Sequence, residues 1–209
     1  MIKGAIFDLD GTILDSMHVW DDLADKYLLS IGITPLPGLK DIFKTMTTSM
    51  SAKWLIDNLQ IDKSVDEIVE GYNILLDKFY KEEVKLKSGF KECFCYLKEK
   101  GIPMIIASSC DRRNILEALK LHELEYEFKY ILTCSELDTD KTKPDIYLKA
   151  ANLLKEKPEN IVVFEDSYFC IKTAKDAGFK VCAVYDDSNK RYLNDTRKIA
   201  DYYIGKDSK

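Results

Sequence analysis

Asp8 and Asp10 are the residues from which chemistry can start. They stand two apart in Phe7-Asp8-Leu9-Asp10-Gly11-Thr12, closing an apolar run and opening onto Gly-Thr. Residues 2–7 have the composition of a short buried strand, and Gly11 supplies the turn that bounds it. Both carboxylates therefore leave a sheet at the carboxyl end of a strand, where open α/β sheets bind ligands. On strand geometry, residues two apart share a face, so the pair can address one ligand. An ordinary Asx-rich turn after a strand has the same composition, so the rest of the chain must separate the two.

Later apolar runs end in residues that complement this pair. Residues 103–107 lead into Ser108-Ser109, and residues 161–164 into Glu165-Asp166-Ser167. A lysine-bearing loop, Lys141-Thr142-Lys143-Pro144-Asp145, precedes the helix before the second of these strands. In a parallel sheet the carboxyl ends lie along one edge, so Asp8, Asp10, Glu165 and Asp166 would converge there with Ser108 and a lysine. Carboxylates gathered in this way repel one another unless a cation sits among them. Oxygen donors without His or Cys favour Mg²⁺ over zinc or copper. A lysine beside the ion neutralises phosphate charge, and the Ser108 hydroxyl can donate to a phosphate oxygen. The combination describes a phosphoryl-transfer site. Taken singly, each piece has a plainer reading: Ser108-Ser109 as a helix cap, the lysines as solvated loop, Glu165-Asp166 as a surface turn.

The elements that must position these residues follow from hydrophobic period. After Asp15-Ser16, which read as a helix N-cap, Trp20, Leu23, Ala24, Tyr27, Leu28 and Ile31 recur at helical spacing, and Gly32 ends the helix. The turn-rich residues 34–38 follow, then two or three more helices to about residue 81, with no convincing strand between Gly11 and Lys87. From Ser88 the pattern alternates: a helix carrying Phe90, Cys93, Phe94 and Leu97 and stopped by Gly101, a strand at 103–107, and a helix at 114–121. A strand at 130–133, a helical face through Ile146, Ala150, Ala151 and Leu154, and a strand at 161–164 come next. A helix at 171–177 stopped by Gly178, a strand at 181–184 and a short edge strand at 202–204 complete the series. Strands alternating with helices predict a doubly wound parallel sheet, with the all-helical stretch inserted after the first strand. The expected division is a core of residues 1–15 and 86–209 and a helical insert of residues 16–85.

The bulk composition narrows the function classes. The 209 residues suit one medium domain or a core with a smaller insert. With 46% hydrophobic and 32% charged residues the chain has an ordinary globular composition, and its net charge of −5 argues against nucleic acid or an anionic membrane as partner. No leader-like opening and no apolar run of about 18 residues is apparent, so neither secretion nor a membrane span is expected. The six cysteines form no CxxC pair, and reduced thiols in a cytoplasmic protein are the expectation.

Four segments in order resemble the motifs of the haloacid dehalogenase superfamily. Phe7-Asp8-Leu9-Asp10-Gly11-Thr12-Ile13-Leu14-Asp15-Ser16 is similar to the first motif, Ile105-Ile106-Ala107-Ser108-Ser109 to the second, and residues 160–178 to the fourth. The third is usually Lys-Pro-x-Pro-Asp. Counting back from Pro144-Asp145 sets Lys141 at the lysine position, with Lys143 as its rival. Cys170 stands where the family usually has glycine. The resemblance implies a Rossmann-like core with a helical cap, and within it the β-phosphoglucomutase-like subfamily. It also implies that Asp8 attacks phosphorus to form an aspartyl phosphate, and that Asp10 acts as general acid and then general base. Mg²⁺ would be held by the Asp8 carboxylate, the Asp10 main-chain carbonyl and Asp166, with Glu165 direct or through water. Ser108 and Lys141 would grip the transferring group, while Gly11, Thr12 and Ser109 of the motifs are candidates for phosphate contact.

Asp10 also separates branches of the superfamily, because dehalogenases lack the second aspartate and transporting ATPases carry Thr there. Phosphatase or phosphomutase remains. The mutases carry a histidine early in the first cap helix, where this chain has Trp20, with His18 two residues away. They also carry an arginine for the distal phosphate, whereas the comparable Thr45-Met46-Thr47-Thr48-Ser49 has none. The expectation is a Mg²⁺-dependent phosphatase of a small phosphorylated metabolite, with a hexose phosphate mutase as the alternative and an idle phosphate sensor as a distant third. Trp20 and Thr48 are its candidate substrate contacts in the cap, and it is expected to act as a monomer or weak dimer.

Overall fold

The computed structural model describes residues 1–43 and 46–206. The chain divides into two compact units, one made of Met1–Ser16 with Val84–Lys209 and the other of Met17–Glu83.

The first unit is built on six parallel strands in the order β3-β2-β1-β4-β5-β6, with β1 at Gly4–Phe7, β2 at Met104–Ser108, β3 at Tyr130–Thr133, β4 at Ile161–Glu165, β5 at Lys180–Val184 and β6 at Tyr202–Ile204. The predicted doubly wound sheet is therefore the observed one. Its central strands are apolar up to the Ser108 and Glu165 that end β2 and β4, because both faces are covered. On one face Ile6, Ile105, Val163 and Val181 pack with Ile146, Tyr147, Ala150 and Leu154. The last four belong to helix α7, Asp145–Leu154 in the numbering α1 to α9 used here. On the other face Phe7 stacks on Phe164 at 4.3 Å and meets Phe90 and Phe128 edge-on. Helices α5 (Phe90–Glu99), α6 (Arg112–Leu121) and α8 (Tyr168–Asp176) complete the alternating series. Gly101 and Gly178, at φ +64 and +88, sit just past α5 and α8, where the left-handed turn that closes a helix favours glycine.

The register brings the chemistry together. Phe7 pairs with Ile106 on one side and Phe164 on the other, so the ends of β2, β1 and β4 lie side by side. The order reverses at β1, and the crevice at that reversal is where such sheets bind ligands.

The second unit is helical among its described residues: α1 at Met17–Ser30, α2 at Leu39–Phe43, α3 at Thr48–Leu59, α4 at Val65–Lys78 and a π-helical turn at Phe79–Glu83. Leu23, Ala24, Tyr27 and Leu28 form the buried stripe of α1. Gly71 of α4 lets the Tyr27 ring lie against its backbone, since a Cβ there would come within 2.3 Å of Tyr27 Cε2. Ser64 and Glu67 close a capping box at the start of α4. Thr45, first residue of the arginine-free stretch, lies outside the described residues.

Two features depart from the expectations. The first strand stops at Phe7, so both aspartates belong to the loop after it and are not related by strand period. Residues 185–201, which show no periodicity, contain a 3₁₀ turn at Asp187–Tyr192 and helix α9 at Leu193–Ile199. Among the described residues no helix is long and apolar enough to cross a membrane, and all six cysteines are free.

Candidate active site

The loop after β1 is a tight reversal built from its own backbone. The Leu9 carbonyl accepts the N–H groups of Ile13 and Leu14, both at 2.9 Å, and Gly11 donates to the Leu14 carbonyl at 2.8 Å. Gly11 sits at φ +80, a conformation that costs a side-chain-bearing residue energy. The reversal leaves Asp8 at the strand end, 8% exposed, and Asp10 half-buried with its Oδ1 accepting the Ser16 hydroxyl at 2.6 Å. Gly11 and Thr12, the candidates for phosphate contact, have their N–H groups engaged inside the loop, Thr12 with Leu9 at 3.4 Å. The Thr12 hydroxyl is buried, has no hydrogen-bond partner, and lines an apolar gap with Phe7, Phe90 and Phe164. The physical reason is the turn itself, which consumes the local donors to reverse the chain.

On the neighbouring strand, Ser108 is 1% exposed and its Oγ accepts the Cys110 N–H at 3.0 Å, which leaves its own hydroxyl proton for another acceptor. Ser109 points elsewhere: it is exposed, with its Oγ 3.5 Å from Cys134 Sγ. The sheet end therefore offers one buried serine, not two.

Lys141 comes from the loop before α7 and is buried, donating to Asp8 Oδ1 and, at 2.6 Å, to Glu165 Oε1. Lys143, its rival, is exposed. Tyr147 on α7 donates its hydroxyl to the same Glu165 oxygen at 2.9 Å. Asp166 accepts an amide N–H from Asn189 at 2.8 Å. Trp20 and Thr48 belong to the helical unit. The Trp20 Nε1 donates to Tyr80 Oη at 2.8 Å, and the Thr48 carbonyl accepts the Ser51 hydroxyl.

Asp8, Glu165 and Asp166 each offer an oxygen within 4.8 Å of the others, and all three are buried. One lysine among three carboxylates leaves two negative charges in excess when all are ionised. The electrostatics follow. Burial, with the Asp8 charge behind it, pushes the Glu165 carboxyl up to about 7, while Lys141 and Tyr147 act to hold it down. Burial, then Glu165, Asp8 and Asp186, raise Asp166 well above the usual carboxylate range. Burial alone would lower the Lys141 ammonium, but Asp8 and Glu165 outweigh it and hold it firmly protonated. Three buried oxygen donors with surplus negative charge fit a hard divalent cation, and the absence of nitrogen or sulfur from the set argues against a softer one.

Three contacts at the site are not announced by the sequence. Tyr147 lies on the apolar face of α7 beside Ile146 and Ala150, so its spacing reads as core, which its ring is. Ser16 reads as a helix cap, yet its hydroxyl donates to Asp10. Asn189 lies in the aperiodic segment after β5, 23 positions from the aspartate it touches, and no local pattern announces it.

The comparisons with known proteins agree with this geometry. The chain is 32% identical over 182 residues to a bifunctional riboflavin kinase/FMN phosphatase of Arabidopsis thaliana, a match covering 86% of this chain and 47% of that protein, so the chain spans about half of that relative. It is 26% identical over 179 residues to a phosphorylated carbohydrates phosphatase of Thermotoga maritima, covering 86% of this chain and 83% of that one. Among solved structures, CbbY from Rhodobacter sphaeroides in complex with phosphate superposes with a TM-score of 0.83 at 18% identity, covering 98% of this chain and 94% of that one, a likeness of fold. The model of the haloacid dehalogenase-like hydrolases matches residues 5–184, from β1 through β5 and across every motif read from the sequence, and the chain belongs to that family.

Proposed function

We propose that this phosphoric monoester hydrolase cleaves a small phosphorylated metabolite, with sugar phosphates the leading class, through an aspartyl phosphate on Asp8 and with Mg²⁺ as cofactor. The observation that carries the reading is the buried cluster itself: Lys141 bridging Asp8 and Glu165, with Asp166 within ligand reach of both. Relatives named as phosphatases of FMN and of phosphorylated carbohydrates support ester hydrolysis of small metabolites.

In this reading an Asp8 carboxylate oxygen attacks phosphorus, the phosphorus–oxygen bond to the leaving group breaks, and the proton on Asp10 passes to the departing alkoxide. A water then attacks the aspartyl phosphate, gives its proton to Asp10, and frees Asp8 and inorganic phosphate. Ser16 holds the Asp10 carboxyl by its hydrogen bond. Lys141 and the Ser108 hydroxyl bind the transferring group's oxygens, and positioning with charge neutralisation supplies most of the rate. Asp8, Glu165 and Asp166, with the Asp10 carbonyl, would hold Mg²⁺, which when bound neutralises charge on the phosphoryl oxygens. Gly11 and Thr12 serve by shaping the loop. Substrate choice is assigned to the helical unit, with Trp20 and Thr48 as candidates. A cytoplasmic monomer or weak dimer completes the proposal.

The test is phosphate release from a panel of sugar, flavin, nucleotide and small-acid phosphates, with Mg²⁺ and with EDTA, alongside Asp8→Asn. Metal-dependent release that vanishes in the variant supports the reading and ranks the substrates. Conversion of one hexose phosphate to another on supplying a bisphosphate, without release, would replace it with a mutase.

A further inference from the structure

Asp8 and Glu165 are oriented by Lys141, whereas Asp166 takes its hydrogen bond from a residue outside the four motifs. Asn189 Nδ2 donates to Asp166 Oδ2 at 2.8 Å, and the two residues are 8% and 5% exposed. Asn189 lies beyond the matched residues 5–184. We infer that Asn189 is a positioning residue for the metal site, holding the Asp166 carboxylate in the orientation in which it ligates Mg²⁺. The inference rests on Asp166 being a metal ligand, as proposed above.

The chemistry of the amide suits the task. Glu165, Asp8 and Asp186 all repel the Asp166 carboxylate, and a buried carboxylate pushed by like charges rotates away unless something holds it. A lysine or arginine could hold it, but would cancel the charge that a cation needs. An asparagine amide donates a hydrogen bond and leaves the full negative charge in place. Once Asp166 is ionised to ligate a cation, it can only accept, so the side of the Asn189 amide that faces it is the N–H side.

Asn189 is itself braced. Its N–H donates to the Asp186 carbonyl at 3.1 Å, and its Nδ2 also lies 3.3 Å from Ser188 Oγ. Asp186 caps the same 3₁₀ turn by accepting the Ser188 N–H at 2.8 Å. Its other oxygen is ion-paired with Lys87, which also donates to Asp15 at 3.0 Å. A chain of contacts thus runs from Asp15 through Lys87 and Asp186 to the turn that presents Asn189.

Calorimetric titration of MgCl₂ into wild type, Asn189→Leu, Asn189→Ala and Asp166→Asn tests the inference, with circular dichroism in EDTA reporting the fold. Asn189→Leu removes the donor at nearly the same size, and Asn189→Ala removes it with a smaller side chain. The Mg²⁺ dissociation constant should rise about 10- to 100-fold in both Asn189 variants. Turnover should return towards wild type at saturating Mg²⁺, which a merely structural defect would not allow. Wild-type Mg²⁺ affinity in both Asn189 variants, with affinity lost in Asp166→Asn, overturns the positioning role. Undiminished affinity in Asp166→Asn overturns the metal-ligand reading beneath it. If Asn189→Leu does not fold, Asn189→Ala carries the comparison alone.

Discussion

Two lysines in this molecule are each clamped between two carboxylates, and they do different work. Lys141 donates to Asp8 and Glu165, and Lys87 to Asp15 and Asp186. Both ammonium groups are held protonated. In each, burial works against the charge, and the flanking carboxylates outweigh it. The difference lies in what surrounds the clamp. Asp15 is 58% exposed, so water absorbs the surplus charge at Lys87. Glu165 is 1% exposed and a third carboxylate, Asp166, stands beside it, so the surplus at Lys141 stays inside the protein. The same three-group arrangement is a brace where solvent reaches it and a charged site where solvent does not.

The largest break in the comparison should come from Asp8→Asn, which removes the proposed nucleophile but keeps its shape. Turnover should fall by at least about a thousandfold while circular dichroism stays unchanged. A variant with near-normal phosphate release would refute the assignment. Next in size is Lys141→Met, expected to lower turnover by roughly a hundredfold or more, as loss of a buried transition-state donor does. It should also destabilise the metal-free protein by about 3–5 kcal/mol, because the Asp8 and Glu165 charges lose their counterion. Lys143→Met, on an exposed side chain, should leave both quantities nearly unchanged. Lys87→Met should leave turnover at saturating Mg²⁺ within a few-fold and cost about 1–2 kcal/mol in a urea melt, because one partner is solvated and the other keeps its backbone hydrogen bond. Equal losses in Lys87→Met and Lys141→Met would erase the distinction between brace and site.

Much of this site is legible in the sequence, and the reason is local. Phe7 followed by Asp8, and Phe164 by Glu165, are apolar runs stopped by acids, so strand and ligand edge are announced together. Lys141 is found by counting back from Pro144-Asp145, and of the two lysines in that loop it is the buried one and Lys143 the exposed one. What escapes is whatever depends on partners distant in the chain. Asn189 meets Asp166 only because β5 lies beside β4. Tyr147 carries a core ring and a polar tip, and helical spacing detects only the ring. The loop after β1 misleads in another way. The alternation of a strand suggests that Asp8 and Asp10 share a face by extension, but the ladder ends at Phe7 and Gly11 turns the chain. Even so, the loop leaves Asp8 beside Lys141 and Asp10 in reach of Ser16.

The surplus charge at Lys141 also predicts that metal-free stability and the stabilising effect of Mg²⁺ change with pH in opposite directions. Glu165 has a folded-state value of about 7, above its ordinary 4.5, so between these values the folded protein binds the extra proton. Metal-free stability should therefore decline as pH rises from about 4.5 to about 7 and lose no more from this group above that. Mg²⁺ competes with that proton, so its stabilising effect should grow over the same interval. Scanning calorimetry at pH 5.5 and pH 8, each with Mg²⁺ and with EDTA, measures this. A larger Mg²⁺-induced rise in Tm at pH 5.5 would contradict the charge accounting.

The smallest and most discriminating change is Tyr147→Phe. It deletes one hydroxyl, keeps the ring against Phe179, and leaves Glu165 Oε1 with Lys141 as its remaining donor. Loss of one buried hydrogen bond with its charged partner still satisfied should cost about 1 kcal/mol. The Tyr147 hydrogen bond helps to hold the Glu165 carboxyl down, so its removal should move that group's titration higher. The pH at which Mg²⁺ begins to stabilise the protein should then shift upward, with turnover at saturating Mg²⁺ and pH 8 within a few-fold of wild type. At Lys87 the clamp opens to solvent at Asp15, which is 58% exposed. A Tyr147→Phe protein whose Mg²⁺-dependent melting follows the wild-type pH profile would mean that Lys141 alone sets the Glu165 charge. The tyrosine would then belong to the core and not to the site.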